Sequence, residues 1–183
     1  YKRQIPKTLK KLNLNADVMP SKQYKGGYIE ASKLCSLFIE SKANHYLESN
    51  NPGNDYTSKL SMYLHFGQIS SLDIYQRMTL ALDQRQIEGL AYDAFVEQLI
   101  VRRELAFNYV YYQEGYDKFD QMTEPWAYMT MNAHDLDFKP YLYSIEQLEL
   151  SQTHDPYFNA AMDEMRIAGY MHNYMRMYWA KKI

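Results

Sequence analysis

Cysteine is almost absent from this chain: Cys35 is the one residue of its kind. A lone thiol closes no internal disulfide and supplies no Cys-x-x-Cys metal pair. The sequence also lacks a His-Glu-x-x-His run, a glycine-rich phosphate loop ahead of a lysine, and a Gly-x-Ser-x-Gly elbow. Those absences take the support from zinc-hydrolase, nucleotide-kinase and serine-hydrolase readings. The five histidines (His45, His65, His134, His154 and His172) are scattered without ligand spacing, so no metal site is expected. An excess of one charge is lacking too. With 20 basic and 22 acidic residues the formal net charge is −2, which argues against a uniformly basic nucleic-acid coat and leaves room for a local patch. No apolar run is long enough to cross a bilayer and no signal peptide is visible. The expectation is therefore a cytoplasmic protein in a reducing compartment, without membrane association.

What the chain does contain is apolar and aromatic bulk. At 183 residues, 46% hydrophobic and 15% aromatic, it can bury one sizeable core. Residues 1–27 carry Lys2, Arg3, Lys7, Lys10 and Lys11, show little apolar period and end in Gly26-Gly27, so they read as a linker. The domain proper is expected over 28–183. Apolar positions Leu34, Leu37, Phe38 and Tyr46 fall at helical spacings in a helix from Ile29 to Tyr46, and Pro52-Gly53 closes it off from the next segment. Further helices are expected at Ser70–Leu82, Tyr92–Gln113, Glu124–Ala133 and Ser144–Ser151, with a last one from Tyr157 to the end. Thr123 with Pro125, and Thr153 with Pro156, look like helix starts. No stretch shows strand alternation flanked by hairpin turns, so the fold class is all-α.

Three constellations could carry chemistry. Tyr56-Thr57-Ser58-Lys59-Leu60-Ser61 concentrates hydroxyls, a lysine and backbone amides where a loop enters a helix, a setting that suits an anion or an ordinary Ser/Thr cap. The helix Asp93–Gln113 has a broad apolar surface of Phe95, Leu99, Ile100, Leu105, Phe107 and Val110, interrupted by Arg102, Arg103 and Glu104. Its arginines suit either a structural ion-pair network or a bound polyanion. The last helix crowds Met171, Tyr174, Met175, Met177, Tyr178 and Trp179 together. Because 175, 178 and 179 share a face and 177 does not, part of that stripe is left for a ligand.

In series, these segments resemble class II cyclobutane pyrimidine dimer photolyases. The run Thr57-Ser58-Lys59-Leu60-Ser61-Met62-Tyr63-Leu64-His65-Phe66-Gly67-Gln68-Ile69-Ser70 is similar to the family's Ser-x-Leu-Ser-Pro-Tyr-Leu-His-Phe-Gly-Gln-Ile-Ser. Leu99 to Ala106, Trp126-Ala127, Thr153-His154-Asp155, Asn159-Ala160-Ala161, Glu164-Met165 and Met175 to Ile183 come in the family's order. The match covers residues 26 to 183. It implies a helical bundle of the photolyase/cryptochrome FAD-binding type, with FAD as cofactor, DNA containing pyrimidine dimers as partner, and a monomeric state. The family's phosphate-holding segment falls on Thr57, Ser58, Leu60 and Ser61, with Tyr46 as an upstream contact. The resemblance sets Arg102 or Arg103 against phosphate or anionic flavin and Met177 against the thymine dimer. Trp179 would pass an electron to the excited flavin.

Departures from the pattern carry their own expectations. Gln98 stands where the family has glutamate; its amide can donate to a pyrimidine carbonyl but cannot hold a proton. Phe158 replaces a tryptophan, and a phenyl ring is much harder to oxidise, so the electron relay to Trp179 is interrupted unless a neighbouring tyrosine such as Tyr157 substitutes. Met62 replaces a proline and Phe107 an aspartate. The family's amino-terminal α/β antenna domain and further carboxy-terminal stretch have no counterpart in the 183 residues, so the chain reads as a fragment or a shortened homologue. Binding of FAD by these residues alone is expected to be weak or absent. Two alternatives stay open: a cryptochrome-like flavin photoreceptor without repair, and a cofactor-free helical interaction module.

Overall fold

The computed structural model describes residues 8, 11, 12 and 20–182. Among them every regular element is helical. Helix α1 (Tyr28–Ser41) buries Ala31, Cys35, Phe38 and Ile39, an i, i+4, i+7, i+8 stripe. The helix expected to run on to Tyr46 stops at Lys42, and the chain continues as a 3₁₀ turn, Ala43–Glu48. That turn is tied down by Asn44, whose amide donates to the Gln86 carbonyl at 3.1 Å and accepts from the Glu88 N–H at 2.8 Å. A short helix α2 (Ser61–His65) contributes the buried ring of Tyr63, whose hydroxyl donates to the Lys25 carbonyl at 2.8 Å.

Helix α3 (Ser71–Asp83) starts on Ser70, whose hydroxyl accepts from the Asp73 N–H, and buries Ile74, Met78 and Ala81. Arg77 fixes it to α1. Its guanidinium pairs with Asp73 one turn back at 2.8 Å and reaches the Ser32 hydroxyl at 2.8 Å and that of Tyr28 at 3.0 Å. Helix α4 (Gly89–Val96) begins three residues before the expected start and passes without a break through a π-helical segment, Glu97–Arg102, into α5 (Arg103–Tyr112). Phe95 fills the centre of this first core, its ring 4.7 Å from Phe38 and 5.1 Å from Tyr46. A π turn widens the helix and is often found at functional sites. Here it contains Gln98.

Helices α6 (Pro125–Ala133) and α7 (Ile145–Glu149) come next in the chain, the second closed by a capping box between Ser144 and Gln147. The expected broad apolar surface divides at Ile100. Phe95 and Leu99 are buried and Ile100 packs against the core, whereas Leu105, Phe107 and Val110 are exposed.

The single terminal helix expected from Tyr157 is two helices, α8 (Pro156–Ala168) and α9 (Asn173–Lys182). Gly169 divides them. It holds a left-handed φ of 71°, the conformation that ends a helix and that a side chain resists. Asp155 caps α8, its carboxylate accepting from the Tyr157 and Phe158 amides at 3.0 and 3.2 Å; Thr153, the expected start, instead binds Asn159. A second, smaller apolar cluster joins α8 to α9 through Ala161, Met162 and Met171, with Met175 and Trp179 against it. Ser21 docks on the end of α8, donating to the Ala168 carbonyl at 3.1 Å.

Candidate functional site

Between the two clusters lies a cavity of about 650 Å³. One wall is the Thr57–Ser61 loop, a second is Tyr46 to Asn50, a third is the face of α4 and the π segment bearing Ala94 and Gln98, and the fourth is Tyr170, Met171, Asn173, Arg176 and Met177. Its size falls in the usual range for small-molecule sites. The helix break at Gly169 turns α9 back and so brings the last of these walls to face the loop.

The loop is shaped by its own hydroxyls. Ser58 Oγ accepts from the Leu60 N–H at 3.4 Å, and Thr57 shares a hydrogen bond with the Tyr170 hydroxyl at 3.2 Å across the cavity. Lys59 sits at a left-handed φ of 55°. Its ammonium reaches Asp55 at 2.8 Å and lies 5.5 Å from the Tyr170 ring centre. Lys42 meets the same carboxylate at 2.7 Å. Burial alone would push the Asp55 carboxyl up, but the hydrogen bonds from Lys42 and Lys59 outweigh it and hold the group below its ordinary value. An ordinary side-chain cap is not what these hydroxyls make: the residue at the start of α2 is Leu60, with no capping side chain. That helix has five residues, so the hydroxyls and loop amides, more than a helix dipole, would act on an anion.

Of the residues singled out in the sequence, Tyr46, Thr57, Ser58, Leu60, Ser61, Gln98 and Met177 line this one cavity. Leu60 is a buried floor, and the Tyr46 phenol is raised above its ordinary pKa by burial. Arg102 and Arg103 are outside the lining. Arg102 is exposed and pairs with Glu97 at 3.2 Å; Arg103 pairs with Glu104 at 3.5 Å and covers the Phe107 ring at 4.7 Å. The guanidinium in the cavity wall is that of Arg176, held through its Nε to the Met171 carbonyl at 3.1 Å. Sequence pattern does not distinguish Arg176 or Asn173; the signal for Arg176 is its place next to Met177 in the stretch Met175 to Ile183.

Trp179 is also outside the cavity. Its indole stacks on Phe158, with 5.0 Å between centroids and 16° between planes. Next to that pair a smaller cavity of about 360 Å³ is lined by Tyr141, Tyr143, Leu148, His154, Asp155 and Phe158, among others.

No family model matches the sequence. Among curated proteins, the deoxyribodipyrimidine photo-lyase of Methanothermobacter thermautotrophicus is 44% identical over 168 residues, which is 91% of this chain and 36% of that protein. That of Potorous tridactylus is 40% identical over 161 residues, 87% of this chain and 29% of its own length. That of Oryza sativa subsp. japonica is 49% identical over 127 residues, or 69% of this chain and 24% of the relative. The chain is homologous to these photo-lyases. It spans between about a quarter and somewhat over a third of their length. A solved bacterial class III photolyase from Agrobacterium tumefaciens superposes with a TM-score of 0.69 at 21% identity, covering 90% of this chain and 34% of that one. A Synechocystis cryptochrome gives the same score, with 92% and 34% coverage. At that identity the likeness shows the fold alone, and the fold is the helical domain of photolyases and cryptochromes.

The cavity's donor set fits FAD, the cofactor expected from the sequence resemblance. Hydroxyls of Thr57, Ser58 and Ser61 and the Arg176 guanidinium suit a diphosphate, while Tyr46, Leu60, Tyr170 and Met177 offer flat or pliable apolar surface to ring systems.

Proposed function

We propose that residues 28–183 are the cofactor- and lesion-binding part of a class II deoxyribodipyrimidine photo-lyase, an enzyme that splits cyclobutane pyrimidine dimers in DNA with light. Residues 1–27 lead into that domain. The observation that carries the reading is the convergence of Thr57–Ser61, Gln98, Arg176 and Met177 on one cavity, in a chain 40% or more identical to named photo-lyases. The class II assignment rests on the stretch from Thr57 to Ser70 and on Met175 to Ile183. Cytoplasmic placement suits the buried, unpaired Cys35, whose thiol burial pushes up to about 11 and so keeps unreactive.

Each cavity residue has a task. Thr57, Ser58 and Ser61 donate to the diphosphate, and Arg176 neutralises it from the opposite wall. Tyr46 and Leu60 exclude water behind the cofactor. The Gln98 amide donates to a pyrimidine carbonyl of the flipped lesion, and Met177 packs on its face. Extrusion of a dimer costs less than that of an intact base because its stacking is already damaged. Trp179, one turn of α9 beyond Met175, would serve as the electron donor that keeps the cofactor reduced. When bound, reduced FAD provides the light-driven electron that opens the cyclobutane ring.

A second reading, a flavin photoreceptor without repair, is favoured by Phe158 in the relay position. Loading the protein with reduced FAD and monitoring dimer loss from irradiated oligonucleotide under blue light separates the two. Repair is the expected result; flavin binding with undiminished dimer would sustain the photoreceptor.

A further inference from the structure

Phe158 leaves Trp179 without an oxidisable partner in the stacked position on α8, yet Phe158 also borders a second cavity. It lines the smaller cavity together with Tyr143 and His154. The Tyr143 hydroxyl lies 2.5 Å from His154 Nδ1 and also accepts from the His154 backbone N–H at 2.9 Å. The two rings are nearly coplanar, 12° apart with centroids at 6.0 Å, so they meet edge to edge through that hydrogen bond. Tyr141 covers the imidazole face at 3.6 Å and fixes its orientation. A phenol gives up an electron far more readily when a base takes its proton in the same event, and the His154 ring is that base in its Nε2-protonated tautomer.

We propose that Tyr143 and His154 form a proton-coupled electron donor that refills Trp179. The proposal rests on the reading of Trp179 as donor to a light-excited flavin. Once Trp179 has lost an electron to an oxidant of that class, Tyr143 returns one across the Phe158 ring. The Tyr143 proton passes to His154 Nδ1. The products are a restored indole, a neutral tyrosyl and an imidazolium, so charge and protons balance. Trp179 Nε1 is buried without a hydrogen-bond partner among the described residues, so its radical cation is not drained by loss of that proton and has to be reduced.

Tyr178 competes, since its hydroxyl meets Asp155 Oδ2 at 2.5 Å. The acceptor decides between them. The Asp155 carboxylate already holds the Tyr157 and Phe158 amides at the start of α8, so taking a proton from Tyr178 would cost those charge-assisted bonds, whereas an imidazole nitrogen takes a proton as its ordinary chemistry.

The test is flash photolysis of the FAD-loaded protein with electron paramagnetic resonance detection, beside nitrogen NMR of the flavin-free protein. Expected are a neutral tyrosyl signal that is lost in Tyr143→Phe and in His154→Phe but kept in Tyr178→Phe, a slower rise in D₂O, and a His154 Nδ1 acceptor resonance that shifts in Tyr143→Phe. A tyrosyl that survives Tyr143→Phe, or that disappears in Tyr178→Phe, overturns the proposal. So does flavin uptake with a Trp179 radical and no tyrosyl. A protein that takes up no flavin even in a large excess of cofactor overturns the flavin reading and this inference with it.

Discussion

The indole of Trp179 lies flat against the phenyl ring of Phe158, with 5.0 Å between ring centres, and this pair continues the apolar seam between α8 and α9. Asp155 adds a second stitch three residues earlier, holding two α8 amides with one oxygen and the Tyr178 hydroxyl with the other. The same short interface therefore seats the proposed electron donor and closes the wall of the large cavity.

Replacing Phe158 with tryptophan is expected to speed light-driven flavin reduction, because it gives Trp179 an oxidisable neighbour in contact. Phe158 is only 2% exposed, and overpacking ordinarily costs about 1–3 kcal/mol. The adjoining cavity of about 360 Å³ can take the extra ring atoms, so the loss should fall at the low end. Photoreduction half-times and a urea midpoint measured on the same sample check both statements.

Asp155→Ala removes a helix cap and a charge-assisted hydrogen bond together. A cap contributes about 1 kcal/mol and a bond to a charged group about 1.5–3 kcal/mol. A destabilisation of about 3 kcal/mol is expected, with a change in Trp179 emission measured in a Trp126→Phe background. An unchanged denaturation midpoint would show that the stitch carries no load.

His172 gives the pH dependence. It is buried beside the cavity wall, its Nδ1 accepting from the Tyr174 N–H at 3.2 Å, and burial lowers its pKa below the ordinary value. A depressed folded-state pKa means that the unfolded chain takes up the proton first as pH falls. The stabilising contribution is complete above about pH 6.5 and is lost as pH drops from there through the lowered folded value. Thermal midpoints of the parent should fall between about pH 7.5 and about pH 5 more steeply than those of His172→Gln. Parallel slopes would remove His172 from the account.

The fold was legible wherever apolar spacing met a core. The helix expected over Ser70–Leu82 forms at Ser71–Asp83, and of the spaced positions Leu34, Leu37, Phe38 and Tyr46 the third is buried, the first and last pack against the core, and Leu37 is exposed because the buried stripe runs through Ala31, Cys35, Phe38 and Ile39. What escaped was set by single residues acting on backbone geometry. Gly169 reads equally as a relief of crowding or as a helix end, and only its left-handed φ makes it the latter. The π turn at Glu97–Arg102 shifts register with no sequence mark, so a helical wheel carried past Leu99 misplaces the residues beyond it. At the site, contiguous loop residues such as Thr57, Ser58 and Ser61 could be read together because they are neighbours in sequence. The cavity arginine could not. Arg102 and Arg103 stand out in an apolar stretch, while Arg176 is hidden in a methionine- and aromatic-rich one. Only the reversal of α9 decides which guanidinium meets the loop.

That choice of arginine can be measured directly if the cavity holds FAD through the Thr57–Ser61 loop and Arg176. Flavin fluorescence anisotropy titrations on the parent, on Thr57→Ala/Ser58→Ala, on Arg176→Ala and on Arg102→Ala/Arg103→Ala measure it. Weak but saturable uptake by the parent is expected, lowered by about tenfold or more in the first two variants, since one bond to a charged group is about 1.5–3 kcal/mol, and little changed in the last. Equal affinity across all four proteins, or a loss confined to Arg102→Ala/Arg103→Ala, would contradict it.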